Sequence, residues 1–196
     1  AVGANALDAN TTATNNVAVG YLALTTTTDG GSNTAVGRSA LANNTASGNV
    51  AVGASAMIMN STGANNTSVG FLSLDANTTA AGNTAIGYQT LSEVQTNTGL
   101  TAVGYRALAV SNGGNNNTAV GYNAGVSCTT GDSNVMMGVN SLLSLTTGDK
   151  NTGIGHQALE DVTTADSNTA VGYQSLQKNT TGTENVAVGA FALDAN

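Results

Sequence analysis

Residues 168–176 read Asn168-Thr169-Ala170-Val171-Gly172-Tyr173-Gln174-Ser175-Leu176, and this stretch decides the fold because it keeps returning. It reappears with small changes at Asn83-Thr84-Ala85-Ile86-Gly87-Tyr88-Gln89-Thr90-Leu91. Its glycine falls at 3, 20, 37, 53, 70, 87, 104, 121, 138, 155, 172 and 189. Every step is 17 residues except the one from Gly37 to Gly53, which is 16. Twelve motifs at a fixed period predict a solenoid. Residues 1–196 form a single repeat array, with no linker interrupting the period.

A 17-residue unit is too short for a helix-turn-helix repeat, which takes about 33 residues or more. It suits one coil of an all-β, parallel β-solenoid with two short strands and two turns. Asn, Gly and Thr are poor inside helices, whereas Val, Ile, Thr and Tyr favour strands. The chain has no proline, so every backbone N–H is free to join a ladder between coils. About twelve coils at about 4.8 Å each make a rod roughly 55–60 Å long.

Positions are counted here from the repeating glycine. One before it stands Val, Ile or Met, and three before it Thr or Val. These two share one face of a strand, which is expected to be the interior. Four after it, ten of twelve coils carry Leu, with Met57 and Gly125 as the exceptions. The two apolar sets differ in parity, so the chain must bend or bulge at the glycine. Three after it stands only Ala, Ser or Thr, which predicts a crowded site. Four before it, Asn is present in ten of eleven coils, with Leu100 as the exception. Stacked at one phase, those side chains predict a hydrogen-bonded ladder from coil to coil.

Composition narrows the function classes. Charged residues make up 8% of the chain and aromatics 4%, which alone would suggest a disordered polar tract. The regular return of Val and Leu overrides that reading. The net charge is −7, and Arg38, Arg106, Lys150 and Lys178 are scattered, so nucleic-acid binding is excluded. No apolar run approaches the roughly 18 residues of a membrane span, so this segment is not expected to insert into a membrane. The interior looks thin, which predicts side-by-side self-association of chains.

Asn16-Val17-Ala18-Val19-Gly20, Asn49-Val50-Ala51-Val52-Gly53 and Asn185-Val186-Ala187-Val188-Gly189 resemble the Ser-Val-Ala-Ile-Gly motif of trimeric autotransporter adhesin heads. The form in residues 83–91 and 168–176 is also similar to repeats of phage and bacterial tail-fibre-like proteins. The resemblance covers the whole chain. It implies a left-handed parallel β-roll, a homotrimer around one axis, and an extracellular place on a cell surface or virion. Adhesin heads use a shorter repeat, so the extra residues here must enlarge a turn.

The position after the glycine is the most informative variable column. It holds Tyr21, Phe71, Tyr88, Tyr105, Tyr122 and Tyr173, together with Arg38 and His156. These rings form either a strip that grips a host-surface glycan or protein, or a column packed between protomers or over a corner, hydroxyls in water. Asp132, Asp149 and Asp166 share one phase on successive coils. Ca²⁺ would relieve their repulsion, but it wants about six to eight oxygens and Lys150 is adjacent, so solvated turn acids are expected and no cofactor. Paired threonines such as Thr129-Thr130 and Thr146-Thr147 raise an ice-binding alternative, yet they flank turns. His156 and Cys128 lie at different phases without partners, so no catalytic pair is expected. Sequons at Asn10, Asn43, Asn60, Asn65, Asn77, Asn116 and Asn179 fit chance in an Asn/Thr-rich chain.

The expected function is a non-enzymatic structural or adhesive fibre segment. The alternatives are a phage tail-fibre shaft with a receptor-binding role and an ice-binding solenoid. Residues 1–10 and 187–196 match at nine of ten positions. That match predicts a rod that continues end to end, as a segment of a longer chain or filament.

Overall fold

The computed structural model describes residues 1–195; Asn196, the last residue of the closing segment, lies outside them. Eleven three-residue strands run in chain order: β1 (Val17–Val19), β2 (Thr34–Val36), β3 (Val50–Val52), β4 (Thr67–Val69), β5 (Thr84–Ile86), β6 (Thr101–Val103), β7 (Thr118–Val120), β8 (Val135–Met137), β9 (Thr152–Ile154), β10 (Thr169–Val171) and β11 (Val186–Val188). Each pairs in parallel with the next, forming one 11-stranded sheet in sequence order. Val2 adds an isolated parallel bridge to Val19, which brings the first motif into the stack. There is no helix among the described residues. The chain is a β-solenoid of 17-residue turns, as the glycine period predicts.

Register is strict. Thr101 faces Thr118, Ala102 faces Ala119 and Val103 faces Val120, and the same match holds at every pair of strands. The 16-residue step between Gly37 and Gly53 leaves it untouched: Thr34 still pairs with Val50. The missing residue is absorbed in the turn that starts at Thr45, which donates its N–H to Ser61 O at 2.8 Å.

Two expectations need correction. The first concerns which face of the strand is inside. In every strand the middle residue is the buried one, and the flanking Thr, Val or Ile is half-buried or exposed. Ala35, Ala51, Ala85, Ala102 and Ala119 are fully buried; Val19 and Ile86 face outward at 39% exposure. A coil of 17 residues encloses too little space for Val and Leu together. The buried Leu fills it, so the strand can offer only a methyl.

The second concerns the opposite side of the coil, where no second strand forms. The residue two after the glycine and the Leu four after it both adopt left-handed backbone conformations, with φ of 48–54° at every such Leu and 49° at Met57. An L-residue there costs about 1–2 kcal/mol. The cost is met because the turn drives each Leu side chain into the interior while its N–H still bonds the next coil, as Leu24 does to Ala40 O at 3.0 Å.

The core is therefore a Leu column packed against an Ala column, with the buried strand residue 11 positions after the Leu, or 10 after Leu41, where the step is one residue short. In one place the pair is exchanged. Gly125 takes the Leu position, Met136 takes the Ala position, and a Cβ on Gly125 would overlap the Met136 sulfur. One coil later Gly153 replaces Ala, and Leu142 Cδ1 occupies the space a methyl would need.

Candidate functional surface

The outward residues of the strands form two parallel columns on the sheet. A third column, one after the glycine, continues the same face around the corner. At that corner the glycines have φ between 126° and 143°. A Cβ at Gly104 would overlap the carbonyl of Gly121 in the next coil, so the close stacking itself excludes any side chain.

Charge is sharply segregated. Asp8, Asp29, Asp75, Glu93, Asp132, Asp149, Glu160, Asp161, Asp166, Glu184 and Asp194 are all the acids, and each lies between five and twelve positions after its glycine. The three columns of the strand face hold no acid and a single cation, Arg38. What remains there is Thr, Val, Ile, Met, Ala and the aromatic residues, with His156. Five residues from three before to one after the glycine span about 16 Å, and eleven strands span about 50 Å. The face thus measures about 800 Å², one side of a standard protein interface.

The aromatic column is stacked. Phe71 and Tyr88 lie 5.8 Å apart between ring centroids, Tyr88 and Tyr105 5.2 Å, and Tyr105 and Tyr122 5.0 Å. The two Tyr–Tyr pairs are nearly parallel, at 6° and 7°. His156 stacks on Tyr173 at 5.3 Å, and Phe191 meets Tyr173 edge-on. Tyr21 stands apart, between the coils of Ala4 and Arg38. Ring faces inside the stack are occupied by their neighbours. Edges and hydroxyls are what the column offers to solvent.

The Asn expected as a ladder works through the backbone. Asn134 Oδ1 accepts the N–H of Asn151 at 2.8 Å, and Asn134 Nδ2 donates to Gly148 O at 2.9 Å. The same pair of bonds recurs at Asn33, whose Oδ1 accepts from Asn49 and whose Nδ2 donates to Ala46 O. Leu100 interrupts the column, and Asn97 compensates by donating its side-chain amide to Gly114 O at 3.0 Å. Gly114 lies 14 residues past Leu100, the same offset at which Asn134 reaches Gly148, so Asn97 takes over the carbonyl that the leucine leaves.

The remaining candidates are tied into the scaffold. Asp149 Oδ1 accepts the N–H of Asp132, and Asp166 Oδ1 that of Asp149, each at 2.7 Å. These acids serve as inter-coil caps, and no group of three metal-ligating side chains forms among the described residues. Thr129 and Thr146 donate their hydroxyls to the carbonyls of Thr146 and Thr163, each at 3.0 Å, which commits those hydroxyls to the rod. Burial pushes the Cys128 thiol up to about 11, and its sulfur contacts Gly131 O at 3.7 Å. Cys128 and His156 are not brought together, and no cavity is present among the described residues.

The strand face is the feature sequence reasoning missed. Its signal was present in the pairing of departures: Met136 and Gly125 change together, which places the middle strand residue opposite Leu. The class defined is a parallel β-solenoid with a neutral strand face and acidic turns. No protein-family model, curated protein or solved structure matches the chain.

Proposed function

We propose that this chain is a stiff, non-enzymatic segment of an extracellular fibre, borne on a cell surface or virion. In this reading, copies pack side by side through the strand face, three around one axis. The assembly acts as a spacer and displays a repeated outer surface many times over. The observation that carries the reading is the charge segregation. A chain of net charge −7 repels its copies wherever its acids lie, and all of them lie away from the strand face. That face is in register and mostly apolar, and in a three-chain assembly its area is shared between two neighbours.

The β-solenoid supports the reading because its ladders run through the strand, the Asn column and the turns, tying each coil to the next. Sedimentation equilibrium tests it. The wild-type chain is expected to sediment as an oligomer. The double variant Val103→Asp with Val120→Asp, both outward on adjacent strands, is expected to sediment as a monomer with an unchanged circular dichroism spectrum. A wild-type chain that stays monomeric at tens of micromolar overturns the association.

A further inference from the structure

We propose that Tyr88, Tyr105 and Tyr122 form an oxidative coupling site, at which hydrogen peroxide with a peroxidase joins neighbouring rings into dityrosine and staples successive coils covalently. Three observations converge on it. The rings lie on consecutive coils with centroids 5.2 and 5.0 Å apart and close to parallel, so each ring is held beside the next within reach of direct coupling. Each of the three residues is 41–50% exposed on the single chain, so a one-electron oxidant reaches its hydroxyl wherever no neighbouring copy covers the face. The chain has no tryptophan, and its one cysteine is fully buried with a thiol raised to about 11, so neither drains a tyrosyl radical.

The chemistry balances. Each of two tyrosines gives up one electron and its phenolic proton, leaving a phenoxyl radical with spin density on the ortho carbons. The two unpaired electrons form a carbon–carbon bond between ortho positions. The hydrogens on those carbons then leave as protons and the oxygens are reprotonated, restoring both aromatic rings. Peroxide takes up the two electrons and two protons and becomes two molecules of water.

Proximity makes the intrachain product dominant. A ring held on the next coil has an effective concentration of millimolar or more, about 10³ times that of other chains at micromolar protein. Tyr88 and Tyr122 lie two coils apart, about 10 Å, and couple only through Tyr105. Tyr21 and Tyr173 have no tyrosine on the adjoining coils and serve as internal controls.

The experiment treats the full chain at low micromolar concentration with peroxidase and peroxide. It reads dityrosine fluorescence, intact mass and the cross-linked peptides. Expected are the loss of two hydrogens per bond, a cross-link mapping to Tyr105 with Tyr88 or Tyr122, and a yield unchanged on tenfold dilution. Tyr105→Phe should lower the yield by at least about tenfold, whereas Tyr21→Phe and Tyr173→Phe leave it unchanged. A yield that falls in proportion to dilution, cross-links mapping to Tyr21 or Tyr173, or an unaffected Tyr105→Phe variant each overturns the proposal. The same treatment of the monomeric Val103→Asp with Val120→Asp variant, whose rings no copy covers, separates this outcome from side-by-side association: absence of the Tyr105 cross-link there overturns the coupling whatever the state of wild type.

Discussion

The strand side and the turn side of each coil come from the same 17-residue repeat and obey different rules. On the strand side, eleven strands pair residue for residue without a slip, and no acid appears. The turn side loses a residue after Asn44, exchanges Asn for Leu100 and carries every acid. The difference follows from what each side must satisfy. A strand slipped by one residue would turn its Val outside-in and its Ala inside-out. A turn has only to return the chain to the next strand, and several hydrogen-bonding routes do that.

The largest effect should come from breaking the strand side at its corner. Gly104→Ala places a methyl against the Gly121 carbonyl at φ 134°, and is expected to cost about 4 kcal/mol in chemical denaturation. The interior exchange comes next. Met136→Ala should cost about 3 kcal/mol, because no Leu is present at position 125 to fill the space. Gly125→Leu alone should also destabilise by overlap with Met136. The double variant restores the pair found in other coils, and should recover at least about 1 kcal/mol over the sum of the singles. Additive costs would show that the two residues do not share one space.

The turn side should respond weakly. Inserting one Thr after Thr45 restores a 17-residue step and should change stability by less than about 0.5 kcal/mol. The smallest effect concerns Asp75. Burial, with a contribution from Glu93, raises its carboxyl above the usual value, and its Oδ1 is buried without a partner. A raised folded-state value means that ionised Asp75 opposes folding at neutral pH. Stability from this group therefore rises as pH falls through the folded value, and levels off below the unfolded one. Asp75→Asn should be slightly more stable than wild type at pH 7, with the difference vanishing near pH 3.

Much of the molecule was legible in the amino-acid order alone. The period, the parallel stack, the glycine corner and the Asn column follow from Gly172, Asn168 and their repeats. The inside of the strand was not legible by the usual rule, which sends the larger apolar residue inward. Val171 points out and Ala170 points in because Leu159, 11 residues earlier, already fills the coil. The turn that stands in place of a second strand has a related cause. Leu in a left-handed conformation is uncommon, and only the tight return of the chain imposes it. The shared column of Tyr88, Tyr105 and Tyr122 was readable from phase alone; the acid-free face emerged only once the strand was turned the right way round.

The most direct test of that turned strand and of its role is thiol labelling in a Cys128→Ser background. Ala102→Cys and Val103→Cys sit side by side on one strand, one inside and one outside. The Ala102→Cys thiol should resist reagent at every protein concentration until the chain unfolds. The Val103→Cys thiol should react readily in dilute solution and slow as concentration rises and copies cover the face. A faster reaction at Ala102→Cys than at Val103→Cys in dilute solution would contradict the account, as would a Val103→Cys rate indifferent to concentration.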